Sequence, residues 1–141
     1  MATWLIKTEP DCYHWDDMKR DKRTAWTDVT NAAAQKHMRS IKKGDITYFY
    51  HTGDEKAIVG ICEVVKGAYP DPDHPGLTAN GDPKRVLFDI KPLKEPKNLV
   101  TLKDVKNSGL LDDFLLVRQS RLSVVPVDPK HDKVLKKMMG M

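Results

Sequence analysis

The sequence has little of what builds the commoner active sites. Its two cysteines, Cys12 and Cys62, stand far apart with no CxxC neighbour, a spacing that fits neither a disulfide framework nor a zinc site. Both read as reduced, structural thiols. There is no GxGxxG, no P-loop, no GxSxG and no HExxH, so four common catalytic signatures are missing. The five histidines are scattered, and no two take ligand spacing on one helix face. Asp71, Asp73 and His74 come nearest to a ligand cluster, but a turn rich in Asp and Pro needs no metal. Neither metal nor cofactor is expected. No apolar run approaches the ~20 residues of a membrane span, and Trp4-Leu5-Ile6 is too short for a signal-peptide core. A cytoplasmic chain without membrane association is the expectation.

What is present is an ordinary globular composition. Hydrophobic residues at 40% and charged residues at 31% argue against wholesale disorder, and 141 residues fit one domain, 1–141. Basic side chains outnumber acidic ones by 24 to 20, for a net charge of +4. That excess is compatible with a nucleic-acid partner without proving one. Three basic clusters carry it: Lys19 to Arg23, Lys36 with Arg39 to Lys43, and Lys130 to Lys137. Each alone reads as a solvated face; together they lean toward a polyanion.

Periodicity and punctuation give a mixed order of elements. Thr3 to Lys7 reads as a strand, closed off by Pro10. His14 to Arg20 suits a helical turn, and Thr30 to Ile41 a helix with Thr30 as N-cap and Gly44 beyond its end. Asp45 to Tyr50 and Ala57 to Val65 read as a hairpin about His51-Thr52-Gly53-Asp54, the second strand central and covered on both faces. Tyr69 to Lys84 holds four of the nine prolines and reads as a long loop. Val86 to Pro92 is a strand, Thr101 caps a helix over Leu102 to Asn107, and Asp112 to Leu116 is a further turn. Ser123 to Val127 is the last strand, and Asp128-Pro129 opens a helix to Met139. Without regular βαβ alternation this is an α+β domain with a mainly antiparallel, curled sheet.

Four segments occur in order: Trp4-Leu5-Ile6-Lys7-Thr8-Glu9-Pro10, Trp26-Thr27-Asp28-Val29-Thr30-Asn31, Gly44 to His51, and Arg121 to Val127. The set resembles the EVE domain, of the PUA-like superfamily, over residues 3 to about 136. The resemblance implies a β pseudobarrel of five or six mainly antiparallel strands surrounded by short helices. It also implies a pocket for one nucleobase, plain or modified. The related YTH readers of methylated adenine are similar at Ile6-Lys7-Thr8 and at Trp26-Thr27; their tryptophan stacks on the modified base. Many EVE sequences read Trp-Asp-Gly-Val-Arg-Asn at the second segment. This chain keeps Trp26, Val29 and Asn31 but carries Thr27, Asp28 and Thr30 in between.

By that match Trp26 is the stacking platform, an indole offered to solvent, with Lys7, Thr8, Glu9, Thr27 and Asn31 as polar contacts. His51, at a strand end, and Trp15, near the barrel end, are further candidates for the pocket. Arg118, Arg121, Lys36 and Arg39 are candidates for phosphate. Plainer readings stand beside these: Trp4 as core, Lys7 and Glu9 as a local ion pair, Arg118 and Arg121 paired with Asp112 and Asp113. The function expected is non-catalytic binding of a base in RNA or DNA, in a single strand or flipped from a duplex. Two other classes remain open. One is a nucleotide- or RNA-acting enzyme using Glu9, His51 or Lys7; the other is a protein-interaction module built on Pro70 to Pro83.

Overall fold

The β-branched and aromatic runs pair into one mixed sheet. A computed structural model describes residues 1–141. Its strands are β1 (Thr3–Thr8), β2 (Thr24–Ala25), β3 (Ile46–His51), β4 (Ala57–Pro70), β5 (Val86–Lys94), β6 (Val100–Thr101) and β7 (Val124–Val127). The helices are α1 (Trp15–Asp21), α2 (Ala32–Met38), α3 (Leu102–Asn107), α4 (Leu115–Arg118) and α5 (Pro129–Met138). The class is α+β, as the pattern of elements implies. Seven strands rather than five or six are present because β2 and β6 are two-residue pairings, too short to show a period. Hydrogen bonding runs β2-β5-β4-β3-β1-β7, with β6 on β4, and does not close on itself. Helix α2 packs against both β5 and β7, and so spans the gap between the two ends of the sheet.

All pairings are antiparallel except β1 with β3, which run parallel in register from Thr3↔Ile46 to Thr8↔His51. A parallel pair needs a crossover, here supplied by α1, β2 and α2. β4 is longer than its β-branched run suggests. Its first half pairs with β3 and its second with β5, and three register shifts against β5 bend it through to Pro70. Tyr69 and Pro70 therefore end a strand instead of opening a loop.

Local chemistry sets the helix ends. The N-cap of α2 lies one residue later than its composition suggests, because the Asn31 side-chain oxygen accepts from the Ala34 N–H at 3.0 Å. Thr30 stays outside. α1 opens on a capping box between His14 and Asp17, a device that cannot be read from the usual Ser/Thr signature. α3 and α5 start where Thr101 and Asp128-Pro129 place them.

The core is one cluster of 33 buried residues, with Trp4 and Ile6 in it as expected. Gly60 lies in the first half of β4 opposite Phe49, and the indole of Trp15 lies against its backbone. A Cβ at this position would sit 2.4 Å from the ring. Gly60→Ala is therefore expected to cost about 1–3 kcal/mol in chemical denaturation. The cost should shrink markedly when the ring is removed as well, in Gly60→Ala with Trp15→Leu.

Candidate functional site

The end of β1, the turn that follows it and the segment from β2 to α2 enclose a cleft of about 450 Å³, with Ser123 on the far side. Two backbone bonds fix the walls: Lys7 N–H donates to Ser123 O at 3.0 Å, and Trp26 N–H donates to Phe88 O at 2.8 Å. Cys12 and Tyr13 are drawn back against the strand end because both their N–H groups donate to Glu9 O, at 2.9 and 3.0 Å. Asp28 takes a positive φ of 64°, the left-handed region that Gly fills freely and Asp tolerates. That conformation accounts for the glycine of many EVE sequences at this place. Behind the wall, the buried amide of Gln35 donates to Val29 O at 2.8 Å and accepts from Val86 N–H at 2.9 Å.

Trp26 lines this cleft, but it is not an exposed bench. The residue is 7% exposed. Its ring meets Phe49 edge-on at 5.7 Å between centroids and Tyr13 at 6.4 Å. The sequence context, polar and basic, conceals this because the burying groups come from β3 and from the turn after Pro10. The indole N–H tells the three tryptophans apart. Those of Trp4 and Trp15 donate to Asp45 and Glu95, at 3.0 and 2.8 Å. That of Trp26 has no acceptor in the protein and is not sealed from solvent.

Lys7, Thr8, Glu9, Thr27 and Asn31 all line the same cleft as Trp26. Lys7 is not paired with Glu9. Its Nζ donates to Ser120 O at 3.0 Å and lies 6.0 Å from the Tyr50 ring centre. Burial holds its pKa below the usual lysine value. The Glu9 carboxylate is exposed and has no cation within ion-pair distance; its one contact is the Cys12 thiol at 3.8 Å. Thr27 donates to Asp28 at 3.2 Å. Asn31 spends its oxygen on the helix cap and keeps its NH₂ free.

Trp15 and His51 fall outside the cleft. Trp15 is 5% exposed and packs on Phe49 at 5.2 Å. His51 is 1% exposed; its Nε2 accepts from Trp15 N–H at 3.0 Å, so Nδ1 carries the proton that Glu55 receives at 2.9 Å. It is a structural brace between β3 and α1. Arg118 and Arg121 form no ion pair with Asp112 or Asp113, since Asp113 is engaged by Lys130 and His131 at 2.7 and 2.9 Å. Both line a shallow depression that adjoins the cleft at Asn31. Lys36 and Arg39 line another on the other side of α2. Sequence reasoning missed Tyr13, Cys12, Asp28 and Ser123 as cleft residues. The Glu9-Pro10 turn was the signal for the first two; nothing local marks Ser123, which arrives through the β1–β7 pairing.

The model of the family described as the EVE domain matches residues 2–138. This chain belongs to the EVE domain family. Mouse thymocyte nuclear protein 1 is 30% identical to it over an alignment 152 positions long, which covers 88% of this chain and 67% of that protein. The chicken protein of the same name is 28% identical, and there the EVE chain spans 63% of the relative's length. A Rhodopseudomonas palustris protein solved by NMR is 42% identical, with a TM-score of 0.88, covering 99% of this chain and 94% of that one. Human thymocyte nuclear protein 1, crystallised in complex with 5-methylcytosine containing DNA, shares the fold at 24% identity and a TM-score of 0.84, covering 100% and 99%. No helix is long and apolar enough to cross a membrane.

The two thiols give a chemical check on the cleft. Cys62 is fully buried and its pKa is pushed up to about 12 by burial, whereas Cys12 is exposed on the cleft wall. In the native EVE domain iodoacetamide is expected to label Cys12 and leave Cys62 unmodified, as read by mass spectrometry of the digested protein.

Proposed function

We propose that this EVE domain binds a single nucleobase of a nucleic-acid strand in the Trp26 cleft, without chemical turnover. The observation that carries the reading is the indole of Trp26, which lines the cleft with Phe49 and Tyr13 packed near right angles to it and its N–H left without a protein acceptor. A flat aromatic wall contributes about 1–3 kcal/mol per stacked base whatever the sequence. Discrimination falls to the polar rim. The unpaired Glu9 carboxylate is an acceptor suited to the exocyclic amine of cytosine, Lys7 and Asn31 supply donors for ring and carbonyl acceptors, and the Thr27 hydroxyl oxygen, its proton on Asp28, is a further acceptor. The human relative's complex with 5-methylcytosine containing DNA supports a methylated cytosine as the first base to try. A base in this position has left its stack, so the partner is a single strand or a duplex with a flipped nucleotide.

A methyl group adds roughly 0.8 kcal/mol when buried, about a fourfold gain in affinity. Titration of single-stranded heptanucleotides, read by tryptophan fluorescence, is expected to show quenching and about that preference for a central 5-methylcytosine over cytosine. Trp26→Ala is a poor probe, because removing a buried tryptophan costs about 3–5 kcal/mol on its own. Trp26→Phe retains the packing and should weaken binding while the protein remains folded by circular dichroism. Quenching that is absent, or equal for a strand with no base at the central position, overturns the proposal.

A further inference from the structure

The cleft is not isolated on the surface. It shares Asn31 with the depression that holds Arg118 and Arg121. It shares Thr30 with a second depression, of about 570 Å³, between α2 and the start of β5, which holds Arg39, Lys84 and Arg85. The three hollows thus adjoin at the neighbouring residues Thr30 and Asn31, a trough in outline, with the cations in the two hollows that flank the base cleft.

None of these five cations has a carboxylate within ion-pair distance, although acids lie close in sequence. Asp113 is taken by Lys130 and His131. Asp71 is spent on the Asp73 N–H and the His74 ring, at 2.9 and 3.0 Å. Arg39 donates one N–H to Pro83 O at 3.3 Å and keeps the others. The Nε of Arg85 is buried and has no acceptor at all. Asp73 is the one acid on the second depression, and the first has none. Unpaired guanidinium groups beside a concave surface suit the phosphodiester oxygens of a polyanion, which offer paired acceptors to the planar fork.

We propose that a single nucleic-acid strand runs the length of this trough, and that Arg39, Lys84 and Arg85 form a phosphodiester-binding subsite on the side of the base cleft opposite Arg118 and Arg121. The inference rests on the reading of the Trp26 cleft as the seat of one base. It adds that the backbone is held on both sides of that base, so affinity depends on strand length and on salt at two separable places. The linkage is mechanical as well as spatial, because Lys84 and Arg85 lead into Val86, whose N–H is bound by Gln35 behind the cleft wall.

The test uses heptanucleotides carrying either 5-methylcytosine or an abasic unit at the centre, titrated over a range of salt. For single strands the slope of log affinity against log salt changes by about 0.7 for each phosphate that is no longer neutralised. Arg39→Ala with Lys84→Ala is expected to flatten the slope by one to two such steps and to leave the ratio between the two oligonucleotides unchanged. Arg118→Ala with Arg121→Ala should do the same independently. Lys103→Ala, at an exposed lysine on α3 away from the trough, is the control and should change neither quantity. Lys84→Glu provides a single exposed substitution that should weaken both oligonucleotides alike without touching any packed side chain. A slope that Arg39→Ala with Lys84→Ala leaves as it was overturns the subsite. A ratio of one in the unmodified protein, with the slope still sensitive, overturns the base reading and leaves the subsite standing. Absence of binding by every strand overturns both.

Discussion

The packing of the aromatic rings around Phe49 is the constraint on which the rest of the molecule depends. Phe49 is fully buried on β3, and the rings of Trp15, His51, Trp26 and Tyr13 lie 5.2 to 6.3 Å from it. Aromatic pairs of this kind contribute about 0.5–1.5 kcal/mol each beyond their buried area. They also fix orientation, since four rings from β3 and from the segments around α1 and β2 meet one side chain. None can turn without disturbing the others. Two of those rings, Trp26 and Tyr13, continue outward as the cleft wall. The base seat proposed above is thus an outcrop of the core, and its geometry is set by packing that faces away from solvent.

A second fixture sets the register that brings β1 to this place. The Asp45 carboxylate, 4% exposed, accepts from the Ala2 N–H, the Trp4 indole and the Lys42 N–H, at 3.0, 3.0 and 2.9 Å. A buried carboxylate is tolerated because every partner is a donor. These bonds join the start of β1 to the start of β3 and to the end of the α2 crossover. With the parallel pairing anchored there, Lys7 and Thr8 reach Tyr50 and His51 in step, and Lys7 arrives at the cleft that Trp26 also lines.

Most of the architecture was legible in the sequence because it is written in local signals. β-branched and aromatic runs marked β1, β3, β4, β5 and β7, and Thr101 and Asp128-Pro129 marked two helix starts. The two-residue strands β2 and β6 carry no period and depend on their partners. The cleft was half legible. Trp26 with Lys7, Thr8, Glu9, Thr27 and Asn31 came from a matched pattern, and they do converge. Trp15 and His51 were misplaced because an aromatic at a strand end reads alike whether it faces a hollow or braces a helix; only the hydrogen bond between them separates the cases. The burial of Trp26 was hidden for a related reason: the ring that covers it lies 23 residues further along the chain.

Gln35 has a consequence beyond satisfying two backbone groups. With one end of its amide on Val29 and the other on Val86, the outer lip of the cleft and the first residue of β5 are tied into a single rigid frame. A lip so tied does not need to fold over an incoming guest, and little chain freedom is lost when one arrives. The recess is cast in advance, and what the guest must do is fit it.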